Sequence, residues 1–225
     1  MRTVSVTANA SGAARAAKQG DLVVIVDVIN MSTTAEAALE EGALAVFGAA
    51  SKNSRPPIDL IDPEKIGYLA GRKAIENQTQ VVLVTEPRVG SDEERKENAS
   101  LALQGLEKAG AQLANILPNL GAETVKFSCL KDKVVLLVTD SGGVAFDVAV
   151  NNGAPLVLTG TIARTLKQKG NQSAKRIAKD SIEMARKLDC DISIVAASSN
   201  ALEDLLAAEY IAKTIIGEGF LSIFS

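Results

Sequence analysis

The chain has 225 residues, 47% apolar and 23% charged, with a net charge of −3 and no histidine. This is the composition of a globular protein with a sizeable core, and its slight acidity gives nucleic acid no electrostatic footprint to bind. Without histidine there can be no Ser-His-Asp triad, Cys-His pair, phosphohistidine or His-ligated metal, so any chemistry falls to carboxylates, hydroxyls, thiols, amines and a hard metal ion.

Residues Arg2 to Thr7 alternate as a short strand, and Ala10 to Lys18 reads as an alanine-rich helix closing at Gly20. Leu22-Val-Val-Ile-Val26 is an unbroken apolar run, the pattern of a strand buried on both faces. It ends in Asp27 and the hydroxyls of Ser32, Thr33 and Thr34. Thr33 with Glu36 three residues on is a capping-box pattern, opening a helix that runs to Gly42. Ala43 to Ala50 is the next strand, Ser51 to Asp62 a polar connection, and Asp62-Pro63-Glu64 the start of a helix reaching Glu76.

Val81 to Val84 is a buried strand, and Ser91 with Glu94 forms a capping box for a long helix ending at Gly110. Gln112 to Ile116 suits a strand and Ala122 to Cys129 a short helix. Lys133 to Thr139 is a clear core strand, followed by Asp140-Ser141-Gly142-Gly143 and a helix to Asn151. Pro155 to Leu158 is a strand, Ser173 to Leu188 keeps helical apolar spacing, Ile192 to Ala197 is the last strand, and a helix carrying Leu202, Leu205 and Leu206 follows. The alternation predicts an α/β fold, a three-layer, mostly parallel sheet with helices on both faces, as one domain over residues 1–225 with room for a small lobe around 111–132.

Cys129 and Cys190 stand far apart and without partners at metal-ligand spacing, which reads as two buried packing thiols. No apolar run approaches the roughly 20 residues needed to span a bilayer, and the first residues lack the apolar core of a secretory signal, so the expectation is a cytoplasmic protein with no membrane or nucleic-acid partner.

In a parallel sheet the carboxyl ends of the strands share one edge, where open α/β sheets bind ligands. That edge gathers Asp27, Glu86, Arg88, Asp140, Ser141, Thr159 and the segment Ser198 to Asp204. Ser32, Thr33 and Thr34, with the free N–H groups of a helix start, suit an anion, and an acid beside such a cradle suggests metal-assisted phosphate chemistry. The plainer reading makes Asp27 a polar strand end and Thr33 an ordinary cap. Ser141-Gly142-Gly143 suits either close backbone approach to an oxyanion or a tight turn with positive φ. Glu203 and Asp204 are adjacent acids that cannot both face one metal directly, and with Asn200 they also fit a simple helix start.

Taken in order, these segments resemble the 2-phosphosulfolactate phosphatase (ComB) family. Asp27-Val-Ile-Asn-Met-Ser32-Thr33-Thr34 with Ala38-Leu39 and Gly42-Ala43 looks like the family's Asp-Val-Leu-Arg-Ala-Ser/Thr-Thr motif and its trailing residues. Thr139 to Gly143 looks like its Thr-Thr-Asn-Gly-Thr, and Ala196-Ala197 through Leu202-Glu203-Asp204 to Ala208 like its last motif. The resemblance implies magnesium-dependent hydrolysis of a small acidic phosphoester, as in coenzyme M biosynthesis. It implies Asp27, Glu86 and Arg88 as catalytic residues. Asp27, Glu203 and Asp204 would be Mg²⁺ ligands, and Ser32, Thr33, Thr34, Ser141, Gly142 and Gly143 would hold a small anionic substrate. A homodimer is an open expectation for the assembly.

The chain departs from the pattern at Asn30, where the family has Arg, at Thr85-Glu86-Pro87-Arg88, where it has Gly-Glu-Arg, at Ser141-Gly142-Gly143 in place of Asn-Gly-Thr, and at Glu209, where it has Gly. Asn supplies neither the charge nor the bidentate fork of the missing Arg. The rival expectation is therefore a non-catalytic relative that binds a small anion or serves as an assembly subunit.

Overall fold

A computed structural model describes residues 2–55 and 61–221; the middle of the polar connection, residues 56–60, lies outside them. The chain runs β1 (Val4–Ala8), α1 (Asn9–Lys18), β2 (Leu22–Val26), α2 (Met31–Glu40), β3 (Ala45–Ala50), α3 (Pro63–Glu76), β4 (Val81–Thr85), α4 (Asp92–Asn98) and α5 (Ser100–Lys108). It continues through β5 (Leu113–Pro118), a 3₁₀ turn (Gly121–Lys126), β6 (Val134–Thr139), α6 (Ser141–Asn151), β7 (Val157–Thr159), α7 (Gln172–Leu188), β8 (Ile192–Ala196) and α8 (Leu202–Gly217).

The fold is α/β, and the strands fall into two parallel four-stranded sheets, ordered β1-β8-β2-β7 and β3-β6-β4-β5, where one sheet was expected. The period of two within each apolar run explains how one sequence pattern serves both. In β2, Val23 and Ile25 face a core shared with α1, α2 and α6, while Leu22, Val24 and Val26 face α7 and α8. In β6, Val135 and Leu137 turn to that same shared core, and Val134, Leu136 and Val138 turn to α3 and α5. Each sheet is thus the middle of three layers, and the two share the helical layer of α1, α2 and α6. Because β2-α2-β3 and β6-α6-β7 cross from one sheet to the other, the carboxyl ends of both sheets open onto one region. Among the described residues no helix is long and apolar enough to cross a membrane.

Several local expectations change. Helix α2 starts at Met31 with Asn30 as its cap residue, and neither Asn30 nor Thr33 caps it with a side chain. The chain turns sharply after β2 because Ser32 ties it: Asp27 N–H donates to Ser32 Oγ (3.0 Å), Ser32 Oγ donates to Ile25 O (3.0 Å), and Ser32 N–H donates to Asp27 O (2.9 Å). Thr33 falls in the first turn, where its hydroxyl donates to Val28 O. The helix expected from Ser91 to Gly110 starts with the predicted capping box but breaks at Ala99. There Asn98 O accepts from Lys52 N–H and Asn98 Nδ2 donates to Thr85 Oγ1, taking that residue out of the helical ladder. Residues 113–118 are the edge strand of the second sheet, and the 3₁₀ turn packs on α2. Cys129 is exposed and Cys190 half-buried, so neither is a core thiol.

Candidate functional site

Strand ends build the site. Asp27 follows β2, Glu86 and Arg88 follow β4, Asp140 follows β6 and Ser198 follows β8, and all of them line one pocket of about 460 Å³. Asn30, Asn119, Ser141, Asn200, Glu203 and Asp204 complete its polar wall. Five carboxylates thus meet one guanidinium, that of Arg88, among the described lining residues. An adjoining hollow of about 420 Å³ shares Asp140, Ser141 and Ser198 and is lined on its far side by Asn53, Ser54 and Arg55.

Asp27 is 6% exposed, and its carboxylate occupies the start of α6: Gly142 N–H donates to Oδ2 at 2.9 Å. Burial above all, then repulsion from Asp204, pushes its pKa up to about 6, against the pull of the Gly142 and Met31 N–H groups. Asp204, on the first turn of α8 and 3% exposed, is also pushed above the usual carboxylate range by burial, while its Oδ1 accepts from Val28 N–H at 2.8 Å. That bond turns Asp204 toward Asp27 and replaces the capping box expected of Asn200 and Glu203, since the cap residue of α8 is Ala201 and caps with no side chain.

The anion cradle read from the sequence is used up internally. Ser32 holds the turn after β2; Thr33 bonds Val28 O and Thr161 Oγ1; Thr34 donates to Asn119 Oδ1 at 2.6 Å. None of the three lines the pocket, because their side chains point down from α2 into the protein, where Ser32 and Thr34 are fully buried. Gly143 N–H donates to Thr139 Oγ1, so of the glycine loop only Ser141 faces the pocket. Neither Gly142 nor Gly143 has positive φ; both are needed for close approach, since a Cβ at 142 would overlap the Asp27 carboxylate and one at 143 the Ala49 carbonyl.

Arg88 reaches Asn30. With the Asn30 amide turned so that its oxygen faces donors, Arg88 Nε donates to it at 3.2 Å and Nη2 donates as well. Arg88 Nε also lies 3.9 Å from Glu86 Oε2, while Asn119 Nδ2 donates to Glu86 Oε1 at 3.3 Å. Asn119, 1% exposed, is the pocket residue that the sequence reading passed over. Its signal was a lone amide between Leu117-Pro118 and Leu120, which reads as a turn unless the chain is known to run past a ligand.

Among the described residues no three His, Cys, Asp or Glu side chains converge closely enough to hold a metal ion by themselves. What remains is the pair Asp27 and Asp204, which repel each other, with the exposed Glu203 adding to the negative field. One or two carboxylates completed by water is a donor set that suits Mg²⁺ and suits zinc poorly. No family model matches this chain, and a search of curated proteins finds no match to it.

Proposed function

We propose that the pocket hydrolyses a small acidic phosphoester with Mg²⁺ as cofactor. The observation that carries this reading is the meeting of Asp27 and Asp204, two buried and mutually repelling carboxylates, with the Arg88 guanidinium in one polar pocket. Asp27 and Asp204 would hold the ion, which when bound supplies charge neutralisation at the phosphate and acidifies water.

The chain's own groups divide the remaining work. Arg88, braced by Asn30 and Glu86, presents the remaining face of its guanidinium to a phosphate oxygen, and Ser141 can donate to another. Asp27, ionised above a pH of about 6 before an ion binds, sits at the pocket floor, where its free oxygen would ligate the ion. Its other oxygen is held by Gly142 N–H, so the carboxylate keeps one orientation toward the ion. Asn119 and Thr34 fix Glu86 from behind and so set where Arg88 points.

The deciding experiment is turnover of a panel of small phosphoesters with and without Mg²⁺, for the parent protein and Asp27→Asn. Magnesium-dependent phosphate release, lost in the variant, supports the reading. Phosphate binding without turnover of any ester favours a non-catalytic anion-binding relative, and neither binding nor turnover removes both.

A further inference from the structure

Thr159 ends β7 on the ligand-binding edge read from the sequence, yet it does not line the polar pocket; it lines a second cavity of about 430 Å³. The walls of that cavity come from Leu39 of α2, Val46 and Phe47 of β3, Phe146 and Val150 of α6, and residues 154–159. Strands β3 and β7 are edge strands, one in each sheet, so the cavity lies where both sheets end. Phe146 is held against β3 by the bare Gly48, where a Cβ would meet it, and this wall is therefore in place before anything binds. Among the described residues no charged side chain lines the cavity, and Thr159 supplies its one polar side chain.

Thr159 is 8% exposed. Alternation along β7 puts its side chain on the face of Val157, which packs toward the core shared with α2 and α6, whereas Leu156 and Leu158 pack toward α7 and α8. The Thr159 hydroxyl thus looks into the cavity that Leu39, Phe146 and Val150 enclose. Every other buried serine or threonine among the described residues has a side-chain hydrogen-bond partner, and Thr159 has none. Buried polar groups are paired as a rule, so this hydroxyl calls for a partner from outside the chain. A water there needs two to four polar partners, and the lining side chains offer this one alone.

We infer that the cavity is a second ligand site, for a neutral, largely apolar small molecule that hydrogen-bonds the Thr159 hydroxyl through a single polar group. Size, lining and charge each narrow the occupant. An apolar cavity of about 150 Å³ takes benzene, so this one has room for a body of two or three fused or linked rings, or a chain of like volume. A charged head would be buried without a counter-charge, which excludes ions and favours a neutral donor or acceptor. An added strand from another chain fits poorly, because β7 is three residues long and so short an edge resists pairing.

The test uses N-phenyl-1-naphthylamine, a neutral aromatic amine with one N–H, whose fluorescence rises in apolar surroundings, and its 8-sulfonate, which has the same rings and one negative charge. The neutral probe should bind the parent protein at one site, and the sulfonate should bind that site at least tenfold more weakly. Thr159→Val keeps the shape and removes the hydroxyl, and it should weaken the neutral probe about three- to tenfold. Val157→Phe, a bulky residue on the same face of the strand, should weaken it at least tenfold by filling the space. Circular dichroism shows that each variant is folded, and the two variants fail independently, so either one carries the test. Three results would overturn the proposal. The first is no binding of the neutral probe, whether water fills the cavity or a second copy of the chain shuts it. The second is neutral-probe binding that a folded Thr159→Val or Val157→Phe leaves unchanged. The third is a sulfonate that binds as tightly as the neutral probe and is equally lost in Val157→Phe.

Discussion

Gly142 donates its N–H to Asp27 Oδ2 at 2.9 Å, across the seam between the β2-α2 unit and α6, the helix that crosses back from the second sheet. The anion at the start of α6 is thus one of the protein's own carboxylates, and residue 142 has no room for a side chain: a Cβ there would meet Asp27 and the Met31 sulfur. Gly142→Ala should therefore destabilise the protein by about 2–4 kcal/mol in urea unfolding, as overpacking and a lost charged hydrogen bond together exceed the gain in helix propensity. The control is Gly217→Ala at the end of α8, where a Cβ meets nothing within 4 Å and the expected effect is neutral to slightly stabilising. Equal effects at the two positions would refute the steric argument.

Asp27→Asn should raise stability at neutral pH. The folded pKa of Asp27 is raised from 3.8 to about 6, so its contribution to stability is fully present below about pH 4 and is lost as pH rises through about 6. Asn has the same shape, keeps an oxygen for Gly142 N–H and carries no charge to bury or to repel Asp204. The variant should gain about 2–3 kcal/mol over the parent at pH 8 and close to nothing at pH 3. Unfolding curves at both pH values decide, and a parent more stable than the variant at pH 8 would show that the Gly142 hydrogen bond outweighs the cost of burial.

How much of this was legible in the sequence depends on what kind of signal each residue leaves. The strands β2, β4 and β6 announce themselves as apolar runs, but a run buried on both faces says nothing about which sheet it joins, so the division into two sheets could not be read from it. Asp27, Glu86, Arg88, Asp140 and Asp204 were placed at the strand ends from alternation alone, and they do meet in one pocket. Ser32, Thr33 and Thr34 look the same in sequence whether their hydroxyls face a ligand or the protein; for Ser32 and Thr33 the cost of leaving buried backbone groups unpaired after β2 decides for the backbone, and Thr34 is taken by the Asn119 amide. Asn119 was hidden because its partner, Thr34, lies 85 residues away.

The pairing of Arg88 with Asn30 decides which way an arginine at position 30 should act. Asn30→Arg would bring a second guanidinium against the first, where Asn30 now accepts from Arg88. Phosphate affinity at low salt should not rise, and Arg88 should lose its brace. Arg88→Ala should weaken phosphate binding about tenfold or more if it is the pocket's anion contact. Isothermal titration with inorganic phosphate measures both, and tighter binding by Asn30→Arg would mean that Arg88 stands clear of the ligand.

Glu36 shows the same competition between a local and a distant partner. At three residues from Thr33 it fits a capping box, yet its side chain is fully buried and receives the Arg176 guanidinium, which is 29% exposed and also pairs with Asp180 on its own helix. Burial raises the Glu36 pKa and the Arg176 hydrogen bond and charge oppose it, so the pair ties α2 to α7 only while both partners are present. Arg176→Ala should leave an uncompensated carboxylate and cost about 3–5 kcal/mol at pH 8. The loss should shrink as the pH falls and Glu36 takes up a proton, because the neutral acid is cheaper to bury. The double variant Glu36→Gln with Arg176→Ala should recover much of the loss, since it removes the orphan charge, and Glu36→Gln alone should cost less than Arg176→Ala. Unfolding free energies for the four proteins form a double-mutant cycle. A coupling near zero would reduce the pair to an exposed ion pair of little consequence and assign the contact between α2 and α7 to packing alone.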